Sequence, residues 1–221
     1  MHNSEQKLNS IKNEVNEIVK EKQLQTTPQI IVVTKKFSLD KIIPLLKMGH
    51  LHFGENQIQE AEEKWDGIKN QYKNIKLHML GKLQSNKVKK AVQIFDYIHS
   101  LDNLKLAKKI SICEKEFNKK TKLFVQVNVG HENQKSGILP EQLLEFYNSC
   151  TKIFSLNVIG LMCIPPINSN SEKYFQILKK NSTKLNLPDL SMGMSSDYGE
   201  ATIYGSTYLR LGTAILGKRN N

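Results

Sequence analysis

Short apolar runs alternate with helix-patterned stretches along almost the whole chain, and this alternation constrains the fold more than any other feature. The first run, 29–34 (QIIVVT), is rich in β-branched residues and continuous in apolar character, as a strand buried on both faces should be. A helix follows, with Ser38 placed as its N-cap, running to Lys47 and stopped by Gly49. The unit then repeats. Further strands are expected at 52–54, 76–80, 97–100, 122–128, 157–162, 190–192 and 208–211, and helices at 56–69, 86–94, 104–117, 141–150, 171–185 and 198–204. An amphipathic helix carrying Leu8, Ile11, Val15 and Ile18 at helical spacing precedes the first strand. Strands that alternate regularly with helices form parallel sheets with helical crossovers. Eight such units favour a closed (β/α)8 barrel. The competing open doubly wound sheet needs a Gly-rich first turn, and Thr34-Lys35-Lys36-Phe37 is not one. No linker or low-complexity segment divides the 221 residues. One α/β domain over 1–221 is therefore expected, with 1–25 forming a helix packed on the barrel.

Composition removes several classes of function. The formal charge of +11 invites a nucleic-acid reading, yet the lysines are scattered, as they are in a lysine-rich, AT-biased coding sequence. Only two of the 32 basic residues are arginines, Arg210 and Arg219. The three cysteines, Cys113, Cys150 and Cys163, are widely spaced and form no zinc pattern, which fits reduced thiols in the cytoplasm. The first twenty residues are charged throughout, unlike a signal peptide, and no apolar run is long enough to span a membrane.

In parallel barrels the functional groups sit at the C-terminal ends of the strands. Lys35 stands there after Ile31-Val32-Val33-Thr34. An amine among apolar neighbours loses hydration and gains neutral character, so Lys35 is a candidate Schiff-base lysine as well as an ordinary strand-exit lysine. Glu55 and Asn56 follow the second strand, either as helix-capping residues or, for Asn56, as an amide packed beside a flat ring. His78 lies within a strand, where a satisfied core histidine is the commoner outcome. The loops 81–87 (GKLQSNK) and 133–137 (NQKSG, with Lys135) could each meet an anion or simply be solvated. His50 and His52 have no acidic or thiol partner nearby, and no metal is expected. The loops after strands seven and eight, 191–197 (SMGMSSD) and 209–213 (LRLGT), are rich in hydroxyls and glycine. Barrels often build a phosphate cup from these two loops and the short helix that follows, with Gly193 and Gly212 admitting the anion and Ser195, Ser196 and Thr213 donating to it. Arg210 lies inside the last strand of a chain that otherwise uses lysine, a sign that a planar donor fork is required.

Seven motifs in order, VTK at 33–35, FGENQIQE at 53–60, HMLGKLQSNK at 78–87, ENQKSG at 132–137, GLMCIP at 160–165, SMGMSSD at 191–197 and RLGTAILG at 210–217, cover the chain from about residue 30 onward. Together they resemble the pyridoxal phosphate homeostasis proteins, built on the N-terminal barrel of alanine racemase. The resemblance implies pyridoxal 5′-phosphate (PLP) held on Lys35 as an internal aldimine. It places Arg210 at the pyridine nitrogen, Ser195, Gly212 and Thr213 at the phosphate, Asn56 beside the ring and Met194 in the cofactor-binding set. Family members often carry a second lysine where this chain has Phe37, with Lys36 adjacent. Alanine racemase has a second domain supplying an opposing acid/base group, and with Asn221 directly after the barrel none is expected here. The expectation is a non-catalytic, monomeric, cytoplasmic PLP carrier, serving PLP-requiring apoenzymes and binding neither nucleic acid nor membrane. A racemase-like PLP enzyme, with His78 as a weak acid/base candidate, is the alternative.

Overall fold

The computed structural model describes residues 3–167 and 169–218. The elements run α1 (Asn3–Glu21), β1 (Gln29–Val33), α2 (Leu39–Lys47), β2 (His52–Glu55), α3 (Ile58–Trp65), α4 (Ile68–Gln71), β3 (Lys76–Met79), α5 (Val88–Ile94), β4 (Tyr97–Leu101) and α6 (Leu104–Glu116). They continue with β5 (Lys122–Gln126), α7 (Leu143–Asn148), β6 (Val158–Met162), α8 (Glu172–Lys184), β7 (Asp189–Ser191), α9 (Tyr198–Ile203), β8 (Tyr208–Leu211) and α10 (Thr213–Leu216). The eight strands are parallel, pair in sequence order and close when β1 pairs with β8, Gln29 opposite Tyr208 and Val32 opposite Leu211. The expected (β/α)8 barrel is thus present. The amphipathic helix α1 buries Leu8, Ile11 and Val15 against α2, α9 and α10. No helix among the described residues is long and apolar enough to cross a membrane.

Several boundaries differ from the periodicity, for local reasons. The helix expected over 56–69 breaks in two, because Gly67 takes a left-handed φ of 74° between α3 and α4. The helix expected from 86 starts as a 3-10 turn, Ser85–Lys87. The one expected over 141–150 is a 3-10 turn at Pro140–Gln142, then α7, then a wide π turn over Ser149–Ile153. Lys35 does not end the first strand. The ladder stops at Val33, and Lys35 sits in a turn closed by the Phe37 amide donating to the Thr34 carbonyl at 3.0 Å. Ser38 is the N-cap residue of α2, but its hydroxyl makes no capping bond.

The barrel interior is unusual in being both aromatic and imidazole-rich. Ile31, Tyr97, Phe124, Met162 and Tyr208 form one buried cluster there. His78 stacks on Tyr97 with ring centroids 4.2 Å apart, and His99 on Phe124 at 4.3 Å. Burial is the main cause that lowers the basicity of His50, to about 4, and of His52, His78 and His99. These imidazoles stay neutral in the fold but take up protons when it opens. The unfolded chain then binds more protons than the native one below about pH 6.5, so stability falls as pH drops from there toward 4. Urea unfolding between pH 7 and 5 should show a loss approaching about 1.4 kcal/mol per pH unit for each such histidine. A flat profile over that range would contradict their neutral burial.

Candidate functional site

A cleft of about 340 Å³ opens at the C-terminal ends of the strands. Val33, Lys35, Asn56, Leu80, Ile164, Met194, Ser195, Ser196, Arg210, Gly212 and Thr213 line it. The seven residues that the family resemblance assigned to the cofactor, Lys35, Asn56, Met194, Ser195, Arg210, Gly212 and Thr213, are all in that wall, although they come from the ends of only four strands, β1, β2, β7 and β8.

Lys35 is presented by a clamped turn. Lys36 supplies the positive φ of 62° that the turn needs, and its amide donates to Glu60 Oε1 at 2.5 Å. Thr34 donates its hydroxyl to Glu55 Oε1 at 2.6 Å, and Lys64 Nζ donates to the Thr34 carbonyl at 2.7 Å. Phe37 anchors the far side of the turn in the core. Glu55, fully buried, also accepts from Lys64 at 3.0 Å and from Trp65 Nε1 at 3.1 Å. Burial pushes the Glu55 carboxyl up, while Lys64 and the hydrogen bonds pull it down. Glu55 is thus no helix cap. It is the buried hub that joins β2, α3 and the turn bearing Lys35.

Arg210 lies at the buried floor of the cleft. It donates from Nη1 to Ser191 Oγ at 2.8 Å and from Nη2 to the Cys163 carbonyl at 2.9 Å. Burial, only partly offset by Cys163 and Asp197, lowers its basicity. It remains a cation, since arginine starts so far above neutral pH. The loop after β7 meets the start of α10, where the Ala214 amide donates to Ser195 Oγ at 3.2 Å. Asp197 closes the same loop by accepting from the Met194 amide at 2.6 Å. Gly193 plays a different part from the one expected. Its φ is 90°, and a Cβ there would meet Ala201 at 2.5 Å and Leu209 at 2.9 Å, so its missing side chain lets α9 pack on β8. Asn56 is placed by Gly81, where a Cβ would lie 2.1 Å from the Asn56 carbonyl oxygen.

The other candidates lie elsewhere. Lys135 is tied to Glu132 at 2.6 Å and to the Pro165 carbonyl at 3.1 Å. Lys82 and Lys87 border a neighbouring hollow of about 300 Å³ that shares Asn56. His78 is fully buried in the barrel between His52 and His99, not in the cleft wall. His50 and His52 border a hollow that α1 and the Thr27–Ile30 segment help to line. Arg219 lies outside the described residues. Sequence reasoning missed Ser191, Cys163 and His99 behind Arg210, and Lys64 behind Lys35. Leu80 and Ile164 in the cleft wall were visible only as parts of motifs.

A barrel with an amine, a guanidinium and a hydroxyl-lined end of this kind defines the class, and the chain belongs to the alanine racemase N-terminal domain family, whose model matches residues 7–220. The pyridoxal phosphate homeostasis protein of Synechocystis sp. is 36% identical over 205 residues, covering 89% of this chain and 94% of that protein. The protein of the same name from Haemophilus influenzae is 32% identical, covering 99% and 97%. Among solved structures, PipY of Synechococcus elongatus without PLP superposes with a TM-score of 0.82 at 32% identity, covering 92% of this chain and all of that one. The same protein with PLP bound gives 0.78 at 30% identity, with the same coverage. Alanine racemase of Clostridium difficile shares the fold, with a TM-score of 0.74 at 15% identity over 96% of this chain and 56% of its own.

Proposed function

We propose that the cleft binds PLP as a Schiff base on Lys35 and that the protein serves intracellular PLP homeostasis as a carrier. The observation that carries this reading is the make-up of the cleft wall. Lys35 and Arg210 are its only ionisable side chains among the described residues, one a nucleophilic amine and the other a permanent cation. The neutral amine of Lys35 adds to the cofactor's aldehyde carbon, the C=N bond forms, and the carbonyl oxygen leaves as water. Ser195, Thr213 and the backbone at Gly212 hold the phosphate, Arg210 faces the pyridine nitrogen, and Asn56 and Met194 flank the ring. The names of the relatives and the PLP-bound PipY structure support the cofactor.

The same wall argues against turnover. An arginine donates to the ring nitrogen without protonating it, which leaves the ring a weak electron sink. No second acid/base group lines the cleft among the described residues, and His78 is committed to the barrel interior. Racemisation or transamination of common amino acids should therefore stay far below the ~10 s⁻¹ typical of enzymes. Sustained turnover near that rate would make the protein an enzyme and overturn the carrier reading. We take the carrier to act as a monomer in the cytoplasm, with PLP-requiring apoenzymes as recipients.

The orientation is tested by two variants titrated with PLP. Arg210→Lys should shift the visible absorbance band, because an ammonium cannot reproduce the fork and offers the ring nitrogen a different proton donor. Thr213→Ala should leave the band in place and weaken binding about ten- to hundredfold, through loss of one charge-assisted hydrogen bond of roughly 1.5–3 kcal/mol. The reverse pattern would show that the cofactor lies the other way round.

A further inference from the structure

A row of hydrogen bonds crosses the barrel behind the cleft. Arg210 Nη1 donates to Ser191 Oγ at 2.8 Å, and Ser191 Oγ lies 2.8 Å from His99 Nδ1. His99 Nε2 lies 2.9 Å from His78 Nδ1, and His78 Nε2 lies 3.0 Å from His52 Nδ1. Ser191, His99 and His78 are fully buried, while His52 is half-buried at the opposite end of the barrel.

Donor and acceptor counting gives the row a direction. Arginine can only donate, so Ser191 receives a proton from Arg210 and must place its own elsewhere. Among the described residues the one acceptor its hydroxyl meets is His99 Nδ1. His99 then carries its proton on Nε2 and donates to His78 Nδ1. His78 in turn carries its proton on Nε2 and donates to His52 Nδ1, so that His52 also keeps its proton on Nε2. Each buried polar atom of the row finds a partner in this arrangement. In the reverse arrangement the Ser191 proton would have no acceptor, at a real cost in so dry a place.

We infer that His99 is a positioning residue for the cofactor cleft: by accepting the Ser191 proton it turns the Ser191 lone pairs toward Arg210 and holds the guanidinium still. His78 and His52 lock His99 in the tautomer this requires. The consequence for the cofactor rests on the PLP reading above, but the positioning of Arg210 does not, and the two can be tested apart.

On the protein without PLP, nitrogen–proton correlation spectra at neutral pH should show His99, His78 and His52 all protonated on Nε2. Arg210 should give separate, slowly exchanging Nη signals. His99→Asn keeps an acceptor where Nδ1 stood but leaves a void, whereas His99→Leu fills more of the volume and accepts nothing. The Asn variant should keep the separate Arg210 signals and the Leu variant should average them. With PLP added, the Asn variant should keep the parent absorbance maximum. The Leu variant should shift it and bind about tenfold more weakly, as loosening of the Arg210–Ser191 bond, one to a charged group, predicts. If the Leu variant does not fold, Ser191→Ala replaces it and should average the Arg210 signals likewise. A proton on His99 Nδ1 would overturn the inference, as would a Leu variant milder than Asn, which is the order that packing alone produces, or parent-like Arg210 signals in Ser191→Ala. A parent protein with no Schiff-base band would sink the PLP reading alone, and the Arg210 signals would still decide the role of His99.

Discussion

Lys35→Ala should abolish the visible Schiff-base band entirely and leave the melting temperature of the PLP-free protein within a few degrees of the parent. The asymmetry follows from where the clamp acts. The clamp acts on the backbone of Thr34, Lys36 and Phe37 and on the Thr34 hydroxyl. Removing the Lys35 side chain takes away the nucleophile and leaves that clamp in place. Residual PLP affinity should come from the phosphate contacts and Arg210 alone, so binding becomes weak and colourless at the imine wavelength. A variant that retained the band would move the covalent site elsewhere, and one that unfolded would show that the amine has a structural load not seen in the turn.

Lys64→Met carries the largest expected cost in stability. Lys64 and Glu55 form an ion pair at 3.0 Å whose side chains are 8% and 0% exposed. Breaking a buried pair by removing one partner leaves the other charge unpaired in a dry place, which typically costs about 3–5 kcal/mol. Here Glu55 would answer by taking a proton, since burial already pushes its carboxyl up. The loss should accordingly be largest at neutral pH and shrink in mildly acid solution, where protonation of Glu55 comes more cheaply. The same variant releases the Thr34 carbonyl, so PLP affinity should fall with stability even though Lys64 does not line the cleft. Urea unfolding at pH 7.5 and 5.5, with and without PLP, measures both effects. A loss below about 1 kcal/mol at neutral pH would show the pair to be as dispensable as a surface salt bridge.

The barrel was legible because β-branched runs and helix-patterned stretches alternate eight times, and because strand-end logic points at Lys35 and at the loops after β7 and β8. Arg210 stood out by its chemistry in a lysine-rich chain. What periodicity could not show was local or three-dimensional. The break at Gly67 depends on a left-handed φ that a glycine permits but does not announce. Lys35 lies in a turn and not on the strand, because the β1 ladder ends at Val33. Gly193 looked like an anion-loop glycine, but its missing Cβ makes room for Ala201 and Leu209. His78 was rightly suspected of being a satisfied core residue, yet its partners sit on neighbouring strands, and the row runs on through Ser191, 92 residues from His99, to Arg210. Contacts across a barrel join residues with no sequence relation, so they emerge only once the ring of strands is closed.

The central claim, that Lys35 holds the cofactor, is tested most directly by trapping the link. The protein is saturated with PLP, reduced with borohydride so that the C=N bond becomes a stable C–N bond, digested, and mapped by mass spectrometry. The account predicts loss of the visible band and one pyridoxyl-phosphate label, on Lys35. A label chiefly on Lys36 or Lys135, or no label at saturating PLP, would contradict it.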